Sequence, residues 1–209
     1  MITVNGHILT NGNISGDQLT TALSSNYPNG VDWCYTDPPW GNGNLKYWAT
    51  INKKMTNTSI NQIDQYTLED RVVDIFTTYV RNYTFVVYGV KEAESLMAKA
   101  RSKGNVRDVQ YIEKKYNAGS KWLKNCIICI TLNDAPVVDW VPVFSGQHGI
   151  NGLKSICKMF SGKYSSCLDM FIGVGHYLNV LDSYGFKVIG NELNRARLSK
   201  ALANIDKIA

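Results

Sequence analysis

Four consecutive residues, Asp37-Pro38-Pro39-Trp40, place a carboxylate, stiffly held carbonyls and a large aromatic face at the end of a strand-forming run, Val31 to Thr36. Proline fixes its own φ and pushes the residue before it out of the helical region, so Asp37 and Pro38 are both extended. The chemistry that suits this corner is amine activation. The exocyclic amine of a nucleobase is a poor nucleophile because its lone pair is delocalised into the ring. Two acceptors aimed at its hydrogens, the Asp37 carboxylate and the Pro38 carbonyl, favour a pyramidal nitrogen that can attack an electrophilic methyl in line. Trp40 offers a face on which an extruded base can stack, a contact worth about 1–3 kcal/mol. The same residues could simply end a strand and bury a tryptophan, so the rest of the chain has to decide between the two readings.

A second constellation lies far downstream. Ser166 to Phe171 reads as a strand running into Ile172-Gly173-Val174-Gly175, and Tyr177, Leu178, Val180 and Leu181 mark a helix after it. The next strand-like run, Phe186 to Asn191, ends at Glu192, 17 residues beyond Gly175. Glycines after a strand let backbone approach a ligand, and an acid at the tip of the following strand suits a grip on two ribose hydroxyls. Leu178 stands where a dinucleotide fingerprint has its third glycine, which favours a nucleoside ligand without a pyrophosphate. S-adenosylmethionine is such a ligand, and it carries the electrophilic methyl that the Asp37 corner requires.

Elements that could position these two sites follow from the pattern of the chain. A length of 209 residues suits one α/β domain, here 1–209. Leu19–Leu23 reads as a short helix and Pro28-Asn29-Gly30 as a turn into the Val31 strand. Gly41 to Tyr66, Asn-rich and without sustained periodicity, reads as a long loop that could close over substrate through Lys46, Tyr47, Trp48, Lys53 and Lys54. A capping box at Thr67–Asp70 predicts a helix over about 68–82. The apolar runs 84–90 and 126–132 predict buried strands, Ala93 to Ala100 a helix between them, Leu153 to Phe160 another, and Leu198 to Ile205 a last one. Continuous apolar strands alternating with helices argue for a mostly parallel central sheet with helices on both faces, a Rossmann-like architecture.

Charge is unevenly spread. The net charge is +5, yet 99–124 carries eight basic residues (Lys99, Arg101, Lys103, Arg107, Lys114, Lys115, Lys121 and Lys124) against Asp108 and Glu113. With Tyr111, Tyr116 and Trp122 interleaved, the segment suits phosphate contact with base stacking, and a solvated helix face is the plainer alternative. The odd set of five cysteines reads as reduced core thiols. Cys126 and Cys129 have metal-knuckle spacing but no second pair, and His7, His148 and His176 form no ligand cluster, so no metal is expected. The polar first thirty residues and the lack of a membrane-length apolar run predict a soluble, cytoplasmic protein.

Taken together, the two motifs resemble those of S-adenosylmethionine-dependent amino-methyltransferases of nucleic acid, the enzymes that methylate adenine at its exocyclic nitrogen. Asp37-Pro38-Pro39-Trp40 is similar to that family's catalytic motif, and Asp169-Met170-Phe171-Ile172-Gly173-Val174-Gly175 to its cofactor loop. Glu192 resembles the ribose-binding acid and Asp17, after Gly16, the acidic stretch near the cofactor's adenine. Catalytic motif before cofactor motif resembles the permuted, beta-class order. The resemblance spans about 14–205. It implies a single methyltransferase domain, with the catalytic motif in 31–40, a substrate loop in 41–66, a target-contacting segment in 99–124 and a cofactor module in 166–205. It implies catalysis by Asp37, Pro38, Pro39 and Trp40, and cofactor binding by Asp17, Asp169, Phe171, Gly173, Gly175, Glu192 and Asn194. Nucleic-acid contact then falls to Lys46, Lys53, Lys54, Lys103, Arg107, Lys114, Lys115 and Lys121. Aspartate first and tryptophan last resemble adenine-specific members, and DNA is favoured over RNA as substrate. An RNA adenine methyltransferase, or a nucleic-acid-binding subunit that has lost turnover, are the alternatives. A phage or restriction-modification setting and a homodimer or second subunit fit the compact chain. Met170, His176 and Tyr177 depart from the family pattern at the cofactor loop. Every one of these expectations requires the turn at 37–40 and the bend near 173 to open onto one pocket.

Overall fold

A computed structural model of the chain describes residues 1–56, 63–118, 121–147 and 150–205. In chain order the elements are β1 (Ile2–Val4), β2 (His7–Thr10), α1 (Gln18–Asn26), β3 (Val31–Thr36), α2 (Gly41–Thr56), α3 (Gln65–Tyr79), β4 (Val80–Tyr88) and α4 (Ala93–Arg101). They continue with β5 (Val106–Ala118), β6 (Lys121–Leu132), α5 (Val141–Phe144), α6 (Asn151–Phe160), β7 (Ser166–Asp169), α7 (His176–Ser183), β8 (Lys187–Asn191) and α8 (Arg195–Ile205). The strands form one sheet of order β1-β2-β8-β7-β3-β4-β6-β5.

The middle of that order positions the site. β3 and β7 are parallel neighbours, with Cys34 opposite Leu168, although more than 130 residues separate them. From β3 the chain crosses to β4 on one side, and from β7 it crosses to β8 on the other, both in parallel. Such a reversal of strand order is a topological switch point, where a crevice opens outside the strands' carboxyl ends. The residues following β3 are Asp37 to Trp40, and those following β7 run through Gly173.

Both faces of the sheet are covered, which is why its strands read as continuous apolar runs. On one face Cys34, Val86, Ile128, Ile130 and Leu168 pack with α1, α3 and α4. The other face packs Trp33, Phe85, Ile127, Cys129 and Cys167 with α6, α7 and α8. That second layer is aromatic: the Trp33 ring meets Phe160 and Phe186 edge-on at 5.2 and 5.1 Å, and Phe85 meets Trp140 at 4.8 Å. Cys126 and Cys129 fall in opposite clusters, so their thiols face opposite sides of β6 and do not converge. All five cysteines are buried and free. Among the described residues no helix is long and apolar enough to cross a membrane.

Three expectations are corrected. The stretch 41–66 is not a loop throughout, because Gly41–Thr56 is helical, while 57–62 lie outside the described residues. Its apolar Leu45 packs with the first core cluster, so tertiary contact stabilises a helix whose own sequence lacks a clear period. The helix expected at 68–82 begins at Gln65, capped by Asp64, whose carboxylate accepts from the Thr67 N–H at 2.9 Å and hydroxyl at 2.6 Å. The apolar run 126–132 is a buried strand but runs antiparallel to β4, forming with β5 a long hairpin. An apolar run carries no direction of its own. The basic segment is therefore mostly this hairpin rather than a helix face.

At the amino ends of the strands, buried Asp32 ties β3 to β7 and β4. One carboxylate oxygen accepts from the N–H groups of Ser165 and Ser166, each at 2.9 Å, and from the Ser166 hydroxyl at 2.8 Å, while the other oxygen meets Arg81. Burial alone would raise the pKa of Asp32, but these donors together with Arg81 hold it below its ordinary 3.8. The folded value is depressed, so the stabilisation is present above pH 3.8 and is lost as pH falls through the folded value. Asp32→Ala should cost about 3 kcal/mol at neutral pH in chemical denaturation. The gap from the parent chain should shrink on acidification below about pH 4.

Candidate active site

One cavity of about 430 Å³ lies at the carboxyl ends of β3 and β7, walled by Asp37, Pro38, Pro39 and Trp40 on one side and Phe171, Gly173, Glu192 and Arg197 on the other. A smaller cavity of about 150 Å³ adjoins it, sharing Asp37, Trp40, Tyr116 and Tyr177 and adding Tyr35, Lys114, Lys115 and Asn125. Asp37 thus borders both spaces.

Gly173, at φ 62°, occupies the left-handed region that favours glycine. Its N–H donates to Glu192 at 2.9 Å, and the other Glu192 oxygen accepts from the Asn194 N–H at 2.8 Å. The tip of β8 and the turn after β7 are therefore locked together by one carboxylate. Burial raises the Glu192 acid, with the Arg197 charge and the two N–H donors acting against that rise. Gly89 supports the other wall: a Cβ there would lie 2.8 Å from the Trp40 ring and 2.4 Å from Glu92, so only glycine lets the ring settle against this backbone.

The carboxylates are the unusual feature. Asp37 is exposed to the cavity, yet the protein atoms crowded around it strip enough hydration to push its acid up to about 6, against the lowering effects of the Trp40 indole N–H and the Arg197 charge. Asp169 is fully buried behind the cavity wall, and burial pushes it up to about 7 although its Oδ1 accepts from the Phe171 N–H at 3.1 Å and the Thr36 hydroxyl at 3.4 Å. Its Oδ2 has no hydrogen-bond partner among the described residues. Asp37, Asp169 and Glu192 together make this end of the sheet a negative environment suited to a ligand with positive charge.

Several residues expected in the site are elsewhere. Asp17 is 93 % exposed and lies 3.8 Å from Arg71, outside the cavity, and Asn13 and Ile14 line the wall instead. Gly175, at φ 90°, starts α7, and a Cβ there would press within 3.1 Å of Ala201, so it serves helix packing rather than ligand approach. Asn194 caps α8, its Oδ1 accepting from Ala196 and Arg197 N–H groups at 2.9 and 3.2 Å. Arg197 was not anticipated, whereas Tyr116, expected as an aromatic of the basic segment, reaches the cavity wall. Tyr116 and Trp40 form a T-shaped pair with ring centroids 6.4 Å apart, so the two aromatics brace each other at the cavity.

Basic residues divide in the same way. Glu113 pairs with Cys126, which is opposite Tyr88 at the end of β4, so residues 114–118 and 121–125 overhang the carboxyl edge of the sheet. Lys114 and Lys115 stand on this overhang beside the smaller cavity, where burial lowers the Lys114 ammonium's affinity for its proton. Lys103 and Arg107 sit at the opposite end of the hairpin, and Lys103 is paired with Asp74 at 2.7 Å. Lys99, Arg101 and Lys124 are paired with Asp70, Glu94 and Glu113. Lys46, Lys53 and Lys54 are exposed on α2. The side chains of Lys121 and Trp122, and His148 as a whole, lie outside the described residues. His7 is structural, accepting from the Val188 N–H at 3.0 Å and bonded to Asp182 at 2.8 Å, while His176 lines the larger cavity.

No protein-family model and no curated protein matches the sequence. Solved structures do match over nearly the whole chain. M1.HpyAVI superposes with a TM-score of 0.61 at 13% identity, covering 95% of this chain and 98% of that one. TTHA0409 from Thermus thermophilus, assigned as a DNA modification methylase, gives 0.63 at 18%, covering 96% and 95%. This chain shares the fold of these solved structures. PvuII DNA methyltransferase, which is cytosine-N4-specific, shares it with a TM-score of 0.51 at 13% identity, over 96% and 88% of the two chains. Both M1.HpyAVI and TTHA0409 have also been solved with S-adenosylmethionine. Within this shared fold, the corner after β3 and the bend after β7 meet at one cavity.

The Trp40 indole reports on Asp37. In proton–nitrogen spectra its N–H signal should move with a midpoint near pH 6, because below that value the acceptor is neutral. The movement should vanish in Asp37→Asn, and a midpoint near 4 would show an ordinary solvated carboxylate.

Proposed function

We propose that the chain is an S-adenosylmethionine-dependent DNA methyltransferase that acts on an exocyclic amine, with the N6 of adenine as its target. The observation that carries this reading is the convergence of Asp37 and Glu192 on one cavity of about 430 Å³. The residues fit the cofactor. Gly173 lines the cavity at the bend with the Arg197 guanidinium over it, Glu192 stands at the tip of β8 in reach of ribose hydroxyls, and the clustered acids favour a sulfonium. When bound, S-adenosylmethionine supplies a methyl group on a positively charged sulfur.

The chain's own residues then do the rest. Asp37 faces both cavities, so its carboxylate can accept from an amine entering from the smaller one while facing the larger. The nitrogen must lose a proton when it gains carbon, and an acid pushed up to about 6 is a competent acceptor for it. Trp40 and Tyr116 present aromatic surface to an extruded base, and the overhanging hairpin with Lys114 and Lys115 supplies positive charge at the same edge. Lys46, Lys53 and Lys54 on α2 are further candidates for phosphate contact. Lys103 and Arg107, at the remote end, contribute little to target binding in this reading.

The experiment is methyl transfer from labelled S-adenosylmethionine to DNA and, separately, to RNA, followed by analysis of the modified nucleosides. N6-methyladenine in DNA is the expected product. N4-methylcytosine would keep the enzyme class and overturn the base, and transfer to RNA alone would overturn the substrate. Asp37→Ala should abolish transfer while leaving cofactor affinity within a few-fold. Turnover by the parent chain should fall as pH drops below about 6, where Asp37 is protonated. Replacing Lys114 and Lys115 together should weaken DNA binding and reduce the slope of log affinity against log salt by about 2, and Lys103→Ala should leave that slope unchanged.

A further inference from the structure

Arg197 stands in the larger cavity at a position that helix energetics does not favour. With Asn194 as cap, it is the third residue of α8, and Arg195 is the first, so two cations sit in a first turn whose exposed N–H groups already carry positive partial charge. The guanidinium lies directly over the glycine bend: a Cβ on Gly173 would be 2.8 Å from its Nη2. Its charge reaches both acids that face the cavity, acting against the rise of Asp37 and of Glu192. Among the described residues lining the cavity, no other lysine or arginine is present.

We propose that Arg197 is the anchor for the carboxylate on the amino-acid arm of S-adenosylmethionine. The assignment rests on the reading of the larger cavity as the cofactor site. Three groups radiate from the cofactor's sulfur: the methyl, the adenosyl group and a chain ending in an ammonium and a carboxylate. With the ribose on Glu192 and the methyl toward Asp37, the third arm starts between those two acids, where the charge of Arg197 also acts. A carboxylate entering a cavity faced by Asp37 and Glu192 is repelled unless a cation meets it. The planar guanidinium fork can hold both of its oxygens at once, and the amino end of α8 adds to the attraction.

Two neutral thioethers isolate the contact. S-adenosylhomocysteine carries the amino-acid arm, and 5′-methylthioadenosine has the same nucleoside and sulfur without it. Calorimetric titration of the parent chain, Arg197→Met and Arg197→Lys with each compound is the test. Arg197→Met is expected to weaken S-adenosylhomocysteine by about tenfold or more while leaving methylthioadenosine within about twofold, and Arg197→Lys to recover part of the loss. Unchanged methylthioadenosine binding also shows that the variant is folded. Equal losses for the two compounds would overturn the assignment and make Arg197 a positioning residue for Glu192. No loss for either would overturn it as well. A parent chain that takes up neither compound would instead overturn the cofactor reading of the cavity, and this assignment with it.

Discussion

The pairing of β3 with β7 is the constraint on which everything else depends. Cys34 opposite Leu168 sets two strands from distant parts of the chain side by side, in parallel and in register. A parallel pair cannot be made by a turn, so the helices and strands between them have to form crossovers that return the chain to the same end of the sheet. Asp32, bonded to Ser165 and Ser166, fixes the amino ends of this pair. The carboxyl ends are then obliged to lie together. Asp37 and Gly173 meet because hydrogen-bond registry between two strands leaves them no other place.

The site is assembled at low dielectric from groups that oppose one another. Loss of solvent is the largest cause of the rise at both Asp37 and Asp169, and the charge of Asp37 adds to the rise of Asp169 only secondarily. The indole of Trp40 and the charge of Arg197 act against that effect at Asp37, which keeps a carboxylate near an aromatic wall largely ionised at neutral pH. Glu192 is treated differently: each of its oxygens accepts one backbone N–H, which holds the bend after β7 in shape and leaves further acceptor capacity. Acid chemistry and backbone geometry are thus coupled across a few residues.

Much of this was legible in the residues. The strand ending at Asp37, the glycine bend and Glu192 are local signals, and each keeps its place because a strand tip and a tight turn are fixed by neighbours in sequence. The errors came where tertiary context decides. Helix α2 is held by packing of residues such as Leu45 rather than by its own pattern. Asp17 was placed by resemblance to an acidic stretch, yet the chain turns so that Asn13 and Ile14 reach the wall. The direction of β6 is invisible in an apolar run. Its clue was the short Asn117-Ala118-Gly119-Ser120 turn signal between two strand-like segments. Arg197 had a signal too, a cation just before the helix expected at 198–205, at an end where the dipole argues for an acid.

The β5–β6 hairpin has a consequence for how such a chain can change. Its inner half is paired against β4 and shares the buried layers, whereas residues 114–118 and 121–125 extend past the end of β4. Substitutions along that projecting half touch little of the core, and they leave Gly173, Glu192 and α8 untouched. Tyr116 is the exception, because it borders the larger cavity beside Trp40, so the outward residues of the projecting half are free to vary while that one aromatic is tied to the chamber it helps to wall.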